Sequence, residues 1–597
     1  MIHRRFLVFT PIEQPLRKTM LKLTRFLKDY KKECVIGPLF KLLEAVFELI
    51  VPVVMAGIID TGIKNNDDGY IYKMGALMVL LGLLGFACSV TAQYFAAKAA
   101  TGFGMKLRYS LFAHVCSLSH TELDELGTPS LITRLTADVD QAQSGVNLVL
   151  RLFLRSPFIV VGALIMAFAI DSGLSIVFLS VTFLLSAVIY AVMSGSLPYY
   201  VRVRKKLDEV ALIVRENLIG VRVIRAFSRQ NSETAAFERE NAGLTKLQNT
   251  VGRIAALLNP ATYVIVNLGI IAVIRFGGTA VDTGRISQGE IVALVNYMTQ
   301  ILLALVALAN LIIVFTKAQA SAERIAEVFA VSPSLTDGAG AEEHETPTCA
   351  ERVVFENVCF AYKGAGAEAL SGLTFEVEKG RTLGIIGGTG SGKSTLVHLL
   401  ARFYDVGSGR ILLDGKDVRD YPLTLLRKKI AIVPQKAVLF KGTVRENMQW
   451  GKKTASDEEI WAALEIAQAK EVVESKKGGL DAPVLQEGKN FSGGQRQRLT
   501  IARALVAKPE VLILDDSSSA LDFATDAALR RSLRDKTKGM TVFVVSQRVA
   551  TVKNADKIVV LDDGKAVGIG THRELFETCD VYREICLSQL SGKEASP

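Results

Sequence analysis

The sequence predicts an all-α six-helix transmembrane domain followed by an α/β P-loop nucleotide-binding domain. Three observations predict it. Six long apolar segments fill the first half, and a glycine-rich loop at Gly387–Thr395 follows a strand and opens a helix. From Val353 onward, short β-branched runs alternate with helical stretches. The 597 residues are too many for one hydrophobic core, so at least two domains are required. Half of the residues are hydrophobic and the mean hydropathy is +0.30, above the soluble balance.

That apolar excess lies in Cys34–Ile59, Ile71–Ala97, Val146–Ile170, Leu174–Ser194, Ile254–Phe276 and Ile291–Phe315. Each is long enough to cross a hydrocarbon layer of ~30 Å. Six in series exclude a soluble protein, because core helices do not sustain such length repeatedly. The segments Lys98–Gly145 and Tyr199–Arg253 are long and basic, whereas Asp60–Tyr70, Asp171–Gly173 and Gly277–Glu290 are short and carry little positive charge. By the positive-inside rule both termini and the long excursions are cytoplasmic. The basic N-terminus (Arg4, Arg5, Arg17, Lys18, Lys22, Arg25, Lys28, Lys31, Lys32) reads as an amphipathic elbow on the membrane surface, without a small-residue cleavage site. The net charge of +10 is therefore a topological signal, and no nucleic-acid partner is needed to explain it. Seven cysteines show neither paired nor metal-ligand spacing and read as reduced and structural. The basic surface without secretory features fits a bacterial plasma (inner) membrane.

From Ala97 to His120 the chain keeps helical periodicity over a span of roughly 35 Å if helical. The membrane helices are thus expected to run on into the cytosol. Near their tips, Leu123–Gly127 and Val214–Leu218 read as short transverse helices able to touch another domain. A linker rich in Pro, Gly and Glu follows Val331. The predicted division is 1–331 for the membrane domain, 332–352 for the linker and 353–590 for the nucleotide-binding domain. Strands are expected at Val353–Tyr362, Thr382–Ile386, Ile430–Val433, Val511–Asp515 and Thr541–Val545, with a hairpin over Lys557–Ile569 turning at Asp563-Gly564.

The loop Gly387-Gly388-Thr389-Gly390-Ser391-Gly392-Lys393-Ser394-Thr395 is a P-loop in its required setting. Its glycines let backbone N–H groups wrap phosphates, and the helix N-terminus adds a favourable dipole. Lys393 is placed for the β- and γ-phosphates of ATP, and the Ser394 hydroxyl for Mg²⁺. Tyr362, upstream of the loop, is positioned either to stack on adenine or to fill the core. Gln435, after Ile432-Val433-Pro434, is either a ligand of Mg²⁺ or of the attacking water, or a solvated side chain. The apolar strand Leu512–Leu514 ends in the carboxylate pair Asp515-Asp516.

Asn490-Phe491-Ser492-Gly493-Gly494-Gln495-Arg496-Gln497-Arg498, with Ser519-Ala520-Leu521-Asp522, completes a set that resembles the ABC-transporter superfamily. The six-span half with two cytoplasmic excursions resembles its exporter-type (type IV) membrane domain. The resemblance covers nearly the whole chain. It implies two nucleotide-binding domains closing head to tail, so that Ser492, Gly493, Gly494 and Gln495 clamp the γ-phosphate of an ATP held by the other chain's P-loop. It also implies a role for Asp522 in the loop after the acidic strand, and for Gln486-Glu487-Gly488 in sensing the transverse helices.

Two departures stand out. The superfamily normally has glutamate at the position of Asp516 to polarise the attacking water, and histidine at the position of Gln547. Asp515 still suffices to hold Mg²⁺ through water. An aspartate is about 1.5 Å too short for in-line attack, and a lost general base typically costs 10²–10⁴-fold. Glutamine hydrogen-bonds a phosphate but carries no charge or proton. Together the changes resemble the degenerate-site subunit of heterodimeric bacterial multidrug exporters, whose intact Ser492–Gln495 serves the partner's site. The implied partner is a second ABC half-transporter, and the implied cargo is a small amphiphilic compound or drug. A homodimeric lipid flippase and a regulatory ATP-binding half with little catalysis are the rival readings.

Inside the membrane half, Lys41, Glu44 and Glu48 share one side of the first span, and Arg151 and Arg155 one side of the third. Charges at that depth should face protein or a water-filled cavity. Glu44 and Glu48 either line a path for cationic amphiphiles or pair with the neighbouring bases.

Overall fold

A computed structural model of the chain describes residues 23–338 and 350–589. The basic residues Arg4, Arg5, Arg17, Lys18 and Lys22 of the expected elbow, the centre of the linker and the last residue of the expected domain lie outside them. The described chain forms two compact units, one within 1–116 and 129–331, the other within 117–128 and 332–597.

The membrane unit contains six helices long and apolar enough to span a bilayer: Thr24–Ile63, Asp68–Ser117, Thr128–Ile170, Ser172–Ile219, Gln230–Asp282 and Gln288–Ala330. Each is at least 40 residues long, about twice what a bilayer requires, so the expected continuation beyond the hydrocarbon is present. The outer turns are short because their helices are capped at once. Asp171 accepts from the Leu174 N–H at 2.8 Å, and Ser287 and Glu290 form a capping box for the sixth span. Close approach of helices rests on small residues. A Cβ on Gly145 would collide with Ala318, and one on Gly289 with the backbone of Ala56. Asp60 then accepts from the Gly289 N–H at 2.8 Å.

One expected feature is displaced. Val214–Leu218 lies inside the long fourth helix, and the separate short helix is Val221–Ala226. Nothing in Val214-Arg215-Glu216-Asn217-Leu218 breaks a helix, whereas Gly220 does. The other transverse helix is His120–Leu126, started by a Ser119/Glu122 capping box and ended by Gly127 at φ +71°. It belongs to the second unit.

That unit is built on two sheets. Strands β1 (Glu351–Phe360), β2 (Leu370–Glu378), β4 (Ser408–Leu413) and β5 (Lys416–Asp417) form an antiparallel sheet in the order β2-β1-β4-β5. The second sheet has the order β12-β11-β3-β10-β9-β6. Its members are β3 (Thr382–Gly387), β6 (Ile430–Val433), β9 (Val511–Asp515), β10 (Thr541–Val545), β11 (Lys557–Asp562) and β12 (Lys565–Gly570). Strands β7 (Gly442–Thr443) and β8 (Pro483–Val484) make a small separate pair. β2 and β4 are not placed by the sequence reading; β2 alternates buried and exposed residues along its length. In the central sheet β9 and β10 are buried throughout, as expected of strands covered on both faces. Arg352 on β1 bonds the buried Asp414 at 2.7 Å and also pairs with Glu510 beside β9, tying the two sheets together.

Candidate functional site

The parallel strands end in register. Val545 pairs with both Asp515 and Ile385, so the ends of β3, β9 and β10 lie side by side. The Asp516 N–H donates to Val545 O and the Ser546 N–H to Ile385 O, each at 3.0 Å. Gly387, Asp515, Asp516 and Gln547 therefore open onto one carboxyl edge, where ligands of α/β sheets bind.

The P-loop fills that edge. Gly392 adopts φ +93°, and a Cβ there would lie 2.6 Å from Ala369 O, so only glycine fits before the Lys393–Leu400 helix. Lys393 Nζ donates to Gly387 O at 3.0 Å, to Gly388 O and to Ser391 Oγ, folded back across the loop it closes. Burial lowers its pKa, while Asp516 and Asp515 oppose that shift. The helix register then brings a hydroxyl and a carboxylate together. Ser394 Oγ donates to Asp515 Oδ1 at 3.0 Å, and His398, one turn on, sits 3.8 Å from Asp515 Oδ2. A hydroxyl and a carboxylate already in contact at the loop's end fit Mg²⁺; bound with ATP, the ion would neutralise charge on the phosphates. Burial raises the Asp515 pKa, opposed by the Ser394 hydrogen bond, and a cation there would favour the ionised form.

Asp516 stands beside this pair with φ +45°, a left-handed turn that aspartate tolerates better than most residues. Gln435 Nε2 donates to its Oδ2 at 3.2 Å. Burial raises the Asp516 pKa, and the Gln435 bond and Lys393 act against it. Asp516 and Gln435 thus face each other. Gln547 is exposed at the neighbouring strand end, and its backbone carbonyl accepts from Gln589 Nε2 at 2.7 Å. Tyr362 is tied to the P-loop helix by a 3.0 Å bond between its hydroxyl and Thr395 Oγ1, and packs edge-on to Phe360 and Tyr404. Thr389 and Gly390 complete the loop.

The Ser492–Gln495 segment lies apart from these groups, at the start of the Gly493–Val506 helix. Its four residues spell a capping box. The Ser492 N–H donates to Gln495 Oε1 at 3.0 Å, and Ser492 Oγ accepts from the Gln495 N–H at 3.3 Å. Ser492 and Gly493 are exposed, and a Cβ on Gly494 would press to 3.0 Å on Ala520 O. An exposed, capped helix N-terminus of this kind attracts anions. Asp522 caps the next helix by accepting from the Thr525 N–H at 3.1 Å.

Sequence reasoning missed four residues. His398 is visible only once the Ser394-to-His398 helical spacing is combined with the strand register. The others are the aromatic pair Phe403 and Tyr404 that seats the His120–Leu126 helix within this unit, and its ion-pair partner Lys363. His120 stacks on Phe403 with ring centroids 4.5 Å apart, and the Tyr404 hydroxyl donates to Asp124 Oδ2 at 2.7 Å. Glu125 pairs with Lys363 at 2.9 Å.

Fold and site together define an ATP-driven membrane transporter. Residues 34–305 match the family described as ABC transporter transmembrane region and 370–519 the family described as ABC transporter. An uncharacterised ABC transporter ATP-binding protein of Bacillus subtilis (YfiB) is 36% identical over 97% of this chain and 100% of its own length. An ATP-dependent lipid A-core flippase of Vibrio vulnificus is 29% identical over 95% of this chain and 97% of its own. A bacterial Atm1-family ABC exporter solved with ATP bound shares the fold, with TM-score 0.78 at 24% identity over 94% of this chain and 98% of that one. The chain belongs to the ABC transporter family and shares the fold of that exporter: it is a multi-pass integral membrane protein with a cytoplasmic ATPase domain.

Proposed function

We propose that this chain is the catalytically handicapped half of a heterodimeric ABC exporter of small amphiphilic compounds or drugs. The observation that carries the reading is the pair of changes at one strand edge. Asp516 replaces the expected glutamate and meets Gln435 at 3.2 Å, and Gln547 replaces the expected histidine. The Mg²⁺-binding pair Ser394 and Asp515 and the P-loop are intact, so binding of ATP at this site is retained while its hydrolysis is slow. The exposed Ser492–Gln495 cap serves the partner's ATP. ATP resting at the weak site holds the two ATPase domains together while the partner's site turns over.

The test is to capture tagged full-length chain from its native membranes and sequence any second ABC half present in equal amount. A partner with glutamate and histidine at the matching positions supports the proposal. A partner with aspartate and glutamine there, or recovery of a homodimer alone, contradicts it.

A second reading is export of a lipid rather than a drug. The lipid A-core flippase aligned over nearly the whole chain favours it. ATPase stimulation by lipids, set beside stimulation by amphiphilic dyes, separates the two.

A further inference from the structure

The membrane unit holds a polar cluster whose charges do not balance. Lys41 Nζ donates to Glu44 Oε2 at 2.5 Å and to Ser89 Oγ at 3.2 Å. Arg155 donates to Glu48 Oε2 at 2.7 Å and lies 3.9 Å from Glu44 Oε1. Both carboxylates are thus neutralised by Lys41 and Arg155. Arg151, four residues before Arg155, is left over: among the described residues it has no ion-pair partner, and its Nε is buried without a hydrogen bond. The surplus is of donors as well as of charge. Arg155 Nε, 3.9 Å from Glu44 Oε1, makes no hydrogen bond among the described residues, and neither does the hydroxyl of the fully buried Ser156. An unneutralised cation at this depth is costly and calls for a counter-charge.

An apolar groove of about 230 Å³ runs beside the cluster, formed by Val46, Leu49 and Ile50 of the first span and by Phe158, Val161 and Ile165 of the third. Those residues follow Glu44 and Arg155 on the same two helices. The groove is lined almost wholly by hydrocarbon.

We infer that this cluster and groove form a subsite for an anionic amphiphile dissolved in the membrane. A phosphate or carboxylate head is held by Arg151 and Arg155, and its hydrocarbon tail lies along the groove. The inference rests on the reading of the chain as an exporter of amphiphiles, and narrows that cargo by the sign of its charge. A cationic head finds both glutamates already taken.

The test uses full-length chain in phosphatidylcholine nanodiscs and two radiolabelled probes of equal tail length, dodecyl phosphate and dodecyltrimethylammonium, below their micelle concentrations. Dodecyl phosphate is expected to bind, and dodecyltrimethylammonium not to displace it. Arg151→Gln should weaken binding by about tenfold or more, the loss of one charge-assisted hydrogen bond, while Arg151→Lys stays near wild type. Glu48→Gln, which frees Arg155, should tighten it. Millimolar inorganic phosphate should compete poorly, since the groove holds the tail; full competition would reduce the site to a phosphate pocket and overturn the amphiphile. Preferential binding of the cation, or binding unchanged in Arg151→Gln, overturns the subsite. Binding of trinitrophenyl-ATP to each variant checks folding. No arm reads hydrolysis, so failure here is separate from failure of the asymmetric-site proposal.

Discussion

Gln435 Nε2 lies 3.2 Å from Asp516 Oδ2, so the acid at the end of β9 and the glutamine after β6 face each other across the carboxyl edge of the sheet. A glutamate at position 516 would carry its carboxylate about 1.5 Å further from the backbone, one bond length. The left-handed φ of +45° at this position is one that aspartate accepts readily, so the shorter acid also suits its turn. Function and local backbone geometry therefore pull on the same residue.

Lys393→Ala should weaken ATP binding by at least about tenfold, since a charged donor to the phosphates is lost and its own burial cost was already met by the loop carbonyls. Fluorescence titration of the full-length variant with trinitrophenyl-ATP measures this. Affinity within twofold of wild type would place the phosphates elsewhere.

Ser492→Ala removes the N-cap of the 14-residue Gly493–Val506 helix and should cost about 1 kcal/mol of stability. It should also abolish transport by the assembled exporter while leaving ATP binding by this chain intact. Chemical denaturation and dye transport in vesicles read the two effects. Unchanged transport would remove the role in trans.

Much of this was legible in the sequence, and the reason is physical. The spans follow from segments of apolar length, and the P-loop and Ser492–Gln495 cap are contiguous motifs whose spacing is their chemistry. Strands β6, β9 and β10 fall at their expected bounds because they are short, largely apolar runs, β9 and β10 buried throughout and β6 half-buried at the sheet edge. What escaped depends on residues far apart in the chain. His398 meets Asp515 only through the P-loop helix and the β3–β10–β9 register. The His120–Phe403 stack likewise joins residues that no local pattern links. The second transverse helix was misplaced by a few residues because Val214–Leu218 is as helical as its surroundings, and the break at Gly220 decides.

The seat of the His120–Leu126 helix should loosen in acid. Burial lowers the His120 pKa, with Arg427 assisting and Asp124 opposing; His398, Phe403 and Tyr404 also face it. A histidine depressed in the fold binds more protons when the helix is released. Its contribution is present above the free value of about 6.5 and is lost as pH falls below it. Limited proteolysis between Ser117 and Thr128 should accelerate between pH 7.5 and 5.5 in wild type, and much less in His120→Phe. Equal acceleration in both would assign the effect to other groups.

Asp414→Asn should destabilise the ATPase unit by about 3–5 kcal/mol, because Arg352 would be left partly buried beside a neutral partner. Asp414 is 1% exposed and also lies 3.5 Å from Lys429, so both cations lose their shared acid. Guanidinium denaturation followed by tryptophan fluorescence measures the change, and a loss under about 1 kcal/mol would mean Glu510 alone holds the two sheets.

The central claim is the handicap at Asp516 and Gln547. It is tested most directly by the Mg-ATPase rate of full-length chain purified alone in lipid, beside the double variant Asp516→Glu, Gln547→His. The account predicts a nearly silent wild type and a variant faster by about 10²-fold or more. Robust turnover by the wild type alone, on the order of 1 s⁻¹ against an enzyme median of ~10 s⁻¹, would contradict it and make the chain a working homodimer.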